Sequence, residues 1–199
     1  DIQSGEFFNN KILCAGLDLA SQNNKAVHIL GLLSDGGVHS HQDHIFAALE
    51  LAKQKNCGQV FLHVFTDGRD TPPNSASKYI EQLESKISEI NVGRIVSVVG
   101  RFYAMDRDNR WERVSKAYEL ITEGKAGRSS RSAKEAILEA YSLGENDEFI
   151  APTSIGEAVK INQDDLVIFM NYRADRAREI TLALTSSTFN EFSRNRFVQ

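Results

Sequence analysis

The feature that most constrains this chain is the stretch Phe61-Leu62-His63-Val64-Phe65-Thr66-Asp67-Gly68-Arg69-Asp70-Thr71-Pro72-Pro73. An apolar run rich in aromatic and β-branched residues stops at two acids, a glycine and an arginine. Two prolines then forbid further strand. Such a run reads as a strand buried on both faces that delivers its polar end to one edge of a sheet. The pattern recurs three times. Val27 to Leu33 ends in Ser34-Asp35-Gly36-Gly37-Val38-His39-Ser40-His41, Ile95 to Val99 ends in Gly100-Arg101, and Leu166 to Met170 ends in Asn171-Tyr172-Arg173-Ala174-Asp175-Arg176.

Helical patterns separate these strands. Apolar residues fall at helical spacing over Phe7 to Leu19, Gln42 to Lys55, Asn74 or Ser75 to Ile90, Asp106 to Thr122, Ser132 to Leu143 and Ala174 to Leu184. Gly58 is expected to end the second helix, and Trp111 to sit on the inner stripe of the fourth. Strands alternating with helices predict an α/β fold, a mainly parallel sheet flanked by helices. Phe149 to Ile161, with Pro152 and Gly156, reads as short strands or a hairpin standing off that sheet. In parallel sheets ligands bind beyond the carboxyl ends of the strands, where all four polar motifs fall. The tail 185–199 is polar and basic, with Phe189, Phe192 and Phe197 spaced for packing.

At 199 residues the chain suffices for one sizeable core. A net charge of -4 gives no general attraction for nucleic acid or an anionic membrane, so the arginines at the strand ends stand out against the overall balance. Cys14 and Cys57 make no disulfide framework and are expected to be reduced and buried. No apolar stretch approaches the roughly 20 residues that span a bilayer. The first residues, Asp1-Ile2-Gln3-Ser4-Gly5, contain no Met and resemble no signal peptide, so a piece of a longer cytoplasmic protein is expected.

Arg69, Arg101, Arg107, Arg173 and Arg176 are the candidates for anion recognition, because a planar guanidinium matches phosphate or carboxylate and stays charged. Taken singly, each reads first as a surface ion pair to Asp67, Asp106, Asp108 or Asp175. Their arrival from separate strand ends favours a common site. Arg173 and Arg176, three apart at an expected helix start, fall on one face, with Arg178 on another; Asn171 and Asp175 are placed to orient them. His39 suits hydrogen bonding to phosphate, whereas His39, His41 and His44 together also fit a metal-dependent hydrolase. His28 and His63 lie inside apolar strands and read as satisfied core residues. Asp70, beside Arg69 and before the rigid prolines, is equally suited to accept a hydroxyl proton and to cap its loop.

The motifs SDGGVHSH (34–41), FTDGRDTPP (65–73), GRFYAMDRDNRWERV (100–114) and FMNYRADRAR (169–178) resemble the cofactor-independent phosphoglycerate mutase family, in its substrate-binding (phosphotransferase) domain. The resemblance implies that His39, Arg69, Asp70, Arg101, Arg107, Arg173 and Arg176 contact 2- or 3-phosphoglycerate and that Asp70 handles the glycerate hydroxyl proton. It implies a cytoplasmic isomerase of glycolysis and gluconeogenesis, working through a phosphoserine in a separate phosphatase-like domain that also carries two manganese or similar divalent ions.

Neither the metal-ligand motifs nor the nucleophilic serine segment of that domain is found here, and the family's lysine near the domain linker has no clear counterpart. The expected organisation is an N-terminal helix and linker over 1–25, the substrate-binding body over 26–185 and a segment over 186–199 leading to the other domain. No metal is expected in this portion, and the expected state is a monomer without nucleic-acid or membrane partners. A stand-alone hydrolase and a non-catalytic anion-binding module remain the alternatives.

Overall fold

The computed structural model describes residues 2–195. Six strands form one sheet: β1 (Val27–Leu32), β2 (Val60–Thr66), β3 (Arg94–Gly100), β4 (Arg128–Ser130), β5 (Thr153–Ile155) and β6 (Leu166–Phe169), in the order β4-β5-β3-β2-β1-β6. Neighbours are parallel except β3 and β5, which run antiparallel through Ser97 opposite Ser154 and Val98 opposite Thr153. The helices are α1 (Lys11–Gln22), α2 (Gln42–Gln54), α3 (Ala76–Ile90), α4 (Arg101–Ala104), α5 (Trp111–Glu123), α6 (Ala133–Ser142) and α7 (Arg178–Thr185).

Two apolar layers sandwich the sheet. On one face Leu17, Leu49, Ile80 and Ile137 of α1, α2, α3 and α6 meet Ile29, Leu62 and Val98. On the other, Val114, Ile121 and Ile180 of α5 and α7 meet Leu30, Phe65 and Val99. Burying each such side chain contributes about 1.5–3 kcal/mol, so the two layers are the main driving force. Both strand faces are therefore buried, as the unbroken apolar runs predict.

Several local expectations are corrected. The N-terminal helix splits, because the Asn10 side chain accepts from the N–H of Ile12 and Leu13 and restarts the chain after a short 3-10 turn over Glu6–Asn9. Left-handed Asn56 (φ 56°), rather than Gly58, turns the chain after α2, as Asn91 (φ 57°) does after α3. The helix expected from Asp106 begins at Trp111. The Asp106 carboxylate accepts from the N–H of Asp108 and Arg110 at 3.0 and 2.9 Å and folds 106–110 into a loop instead. Trp111 itself is half-buried against Phe189.

The segment over 149–161 does not stand off: its three-residue strand β5 joins the main sheet, and β4, unmarked in the sequence, extends the edge. The helix expected from Ala174 starts only at Arg178; the backbone just before Ala174 is held on the first loop, with Tyr172 and Arg173 N–H on His39 O at 3.0 and 3.4 Å. Cys57 is buried and Cys14 half-buried; both are free thiols. In the tail, Phe189 and Phe192 pack on Trp111 and Tyr118, while Phe197 lies outside the described residues. Among the described residues no helix is long and apolar enough to cross a membrane.

Candidate anion site

The strands β6, β1, β2 and β3 are consecutive and parallel, so their carboxyl ends lie side by side. The loop after β2 is built on Asp67. Its buried carboxylate accepts from Ser34 Oγ at 2.6 Å, from the N–H of Asp70 and Arg69 at 2.9 and 3.1 Å, and from Arg101 at 2.8 Å. Burial alone raises the pKa of such a carboxyl; these donors outweigh it and hold Asp67 below the usual carboxylate range. Two glycines let the walls close. A Cβ on Gly36 would stand 2.9 Å from Asp70 Cβ, and one on Gly100 would stand 2.3 Å from Glu148 O.

Arg101 opens α4 and is enclosed, its side chain 4% exposed, with its Nη1 on Asp67 and on Asp70 Oδ2 at 2.7 Å. Asp70 is thus aimed by its N–H on Asp67 and its carboxylate on Arg101. Arg69 reaches Glu148 at 3.2 Å with its side chain 55% exposed, leaving most of the guanidinium open.

A second group faces the first. Asp175 Oδ2 accepts from Arg107 at 3.0 Å and from Arg173 Nη2 at 3.1 Å, and Arg173 Nε stands 3.0 Å from Asp175 Oδ1. Burial works to raise the Asp175 carboxyl, but Arg107, Arg173 and His39 hold it below its ordinary value. Buried His39 places Nδ1 3.6 Å from Asp175 Oδ1, beyond hydrogen-bond reach. Burial and the Arg101 charge lower its pKa, so the ring is neutral near pH 7. Arg176 donates to Met105 O at 3.0 Å. Burial, then the like charges of Arg107, Arg101 and Arg69, push its guanidinium below the usual value, so these cations stand within one another's fields.

The expected site residues are therefore brought together, and most are at the same time ion-paired. Arg173 and Arg176 sit in the loop before α7 rather than on a helix face, and Asn171 does not orient them. Its side chain accepts from Leu32 N–H at 3.0 Å and sews β6 to β1. His41 caps α2, its Nδ1 accepting from Asp43 N–H at 3.2 Å, and His44 lies edge-on to Tyr172. Among the described residues no three His, Cys, Asp or Glu side chains are arranged to hold a metal ion, so the histidine cluster does not fit one.

Sequence reasoning missed Ser34, Asp147 and Glu148. Asp147 is buried, caps α3 through the N–H of Ser75 and Ala76 at 2.8 and 2.9 Å, and accepts from Tyr141; Glu148 beside it meets Arg69. An acid pair in a polar turn 79 residues from Arg69 carries no local signal of that contact. His28 and His63 are the satisfied core residues expected: His28 Nδ1 lies 3.0 Å from His63 Nε2, whose ring continues to Ser97 Oγ at 2.8 Å.

The chain matches the family model described as the BPG-independent PGAM N-terminus over residues 1–199. It is 56% identical over 198 residues to a 2,3-bisphosphoglycerate-independent phosphoglycerate mutase of Vesicomyosocius okutanii, covering 100% of this chain and 39% of that protein. It is 55% identical to the protein of the same name in Pseudomonas entomophila, covering 98% of this chain and 38% of the relative. A solved Leishmania mexicana phosphoglycerate mutase, described at low cobalt concentration, superposes with a TM-score of 0.92 at 30% identity, over 100% of this chain and 39% of that one. This chain, spanning about 39% of the length of the curated relatives it matches, belongs to the BPG-independent phosphoglycerate mutase N-terminus family.

Proposed function

We propose that this chain is the phosphoglycerate-binding part of an enzyme that interconverts 2- and 3-phosphoglycerate. The observation that carries the reading is the convergence of Arg69, Arg101, Arg107, Arg173 and Arg176 with His39 at one sheet edge. In this reading the body is 26–185, with 1–25 and 186–199 as flanking segments. The half-exposed guanidinium groups of Arg69, Arg107 and Arg173 grip phosphate and carboxylate, and Arg176 and His39 complete the lining. Asp70, fixed by Arg101, accepts the glycerate hydroxyl proton.

The phosphoserine and the divalent ions belong to the phosphatase-like portion of the longer enzyme, since the acids here are committed to arginines and backbone. In this reading the enzyme is a monomer, and the glycolytic role makes the cytoplasm its compartment. A stand-alone hydrolase is not favoured, because His41 and His44 are turned to capping and stacking.

Calorimetric titration with 3-phosphoglycerate, beside a coupled mutase assay with manganese, tests this. Saturable binding without turnover is expected. At 100 times the dissociation constant, the ligand stabilises the fold by about 2.7 kcal/mol. No heat and no shift in melting temperature at millimolar ligand refute the site, and robust turnover by this chain alone refutes the division of labour.

A further inference from the structure

Asp175 differs from the two loop-building acids of the site, Asp67 and Asp147. Asp67 and Asp147 are buried and accept backbone N–H groups, so they build loops. Asp175 accepts from two arginine side chains that come from different strand ends, Arg107 after β3 and Arg173 after β6. Its carboxylate also faces His39, from the loop after β1, whose buried Nδ1 has no hydrogen-bond partner. A single carboxylate thus occupies the meeting point of three segments, 30% exposed to solvent, with arginines that are themselves 48% exposed. This is the placement an entering anion needs. The donors that would grip a phosphate oxygen are the ones that grip Asp175.

Building on the anion-site reading above, we propose that Asp175 is an internal competitor. Its carboxylate stands in for the ligand when the site is empty, keeps Arg107 and Arg173 from repelling one another, and gives way when a phosphorylated anion binds. The residue weakens anion affinity while stabilising the empty site. A purely structural acid would do only the second.

Inorganic phosphate is the probe, titrated against the whole chain and its Asp175→Asn variant by calorimetry and thermal unfolding. The amide keeps size and loses charge. Without phosphate the variant should melt at a lower temperature than the parent. With phosphate it should bind about tenfold tighter, one charged hydrogen bond's worth of lost competition, and its melting shift should exceed the parent's. Asp175→Ser, which cannot reach both arginines, should show the same two signs if the amide folds poorly.

Asp164→Asn, an exposed acid beside β6 at the other edge of the sheet, removes the same charge and should leave phosphate affinity within twofold. Weaker or unchanged phosphate binding in both Asp175 variants overturns the proposal while leaving the anion site standing. Equal tightening by Asp164→Asn overturns it as well, because net charge then suffices. Silence in the parent and in every variant overturns the anion site together with the role of Asp175.

Discussion

The Asp67 carboxylate offers the sharpest test of how this edge is held. It satisfies the Ser34 hydroxyl, two backbone N–H groups and the buried guanidinium of Arg101. Removing one member of a buried ion pair costs roughly 3–5 kcal/mol, and each hydrogen bond to a charged group is worth roughly 1.5–3 kcal/mol. Asp70 still neutralises Arg101 at 2.7 Å, which places the loss at the lower end of that range. Asp67→Ala should therefore cost about 3 kcal/mol. Asp67→Asn, which keeps an oxygen for the two N–H groups and lets Ser34 reverse its bond, should cost about 2 kcal/mol.

The assay is urea unfolding at pH 7 with slopes compared, since an altered slope signals a change in the unfolded state. The pH dependence adds an independent check. The Asp67 carboxyl lies below its ordinary value in the fold, so its contribution is present above about pH 4 and is lost as pH falls through the folded value. The gap between parent and Asp67→Asn should narrow on acidification below about pH 4. A cost under about 0.5 kcal/mol for both variants, the size of an ordinary surface change, refutes the reasoning. So does a gap that widens in acid.

Two further predictions concern the interior. His63→Leu strands a ring nitrogen of His28 and the Ser97 hydroxyl in the core and should cost about 3 kcal/mol by urea unfolding. Burial holds both rings below their ordinary value while the unfolded chain titrates near 6.5, so parent stability is full above about pH 6.5 and falls as pH drops; the His63→Leu stability curve between pH 7 and 5 should be flatter. Gly100→Ala drives a Cβ to 2.3 Å from Glu148 O, a backbone atom, and should cost about 3 kcal/mol in thermal unfolding, against under about 0.5 kcal/mol for Gly127→Ala, which meets nothing within 4 Å.

The strands that carry the site were legible because burial on both faces leaves an unmistakable trace. Val27 to Leu33, Phe61 to Thr66 and Ile95 to Val99 are runs that only a covered strand tolerates, and each was located to within a residue or two. What escaped was short or long-range. β4 and β5 have three residues each, too few for any period, and their pairing is decided by partners far along the chain. The helix start differs from the local pattern at Asp106 because its own side chain takes the N–H groups of Asp108 and Arg110, and at Ala174 because the backbone just before it, Tyr172 and Arg173, is held on His39 O of another loop. A local pattern cannot weigh a competitor that arrives from another loop.

The site shows the same division. Its cations were readable because arginine after an apolar run is conspicuous; the acids that hold them were not. Yet the fold could not gather Arg69, Arg101, Arg107, Arg173 and Arg176 at one edge without them, since unpaired cations repel and a buried one is costly. Asp67, Asp70, Glu148 and Asp175 are the condition for assembling the edge, and Asp175, on two half-exposed arginines, also takes donor capacity that a ligand would otherwise use. Binding at such an edge is an exchange of partners, in which the net gain is the difference between ligand and resident carboxylate. Only a ligand offering more charge than a side-chain carboxylate gains decisively from that exchange. Phosphate on a small acid meets the condition, which is why the ion pairs of this edge and its reading as an anion site are compatible.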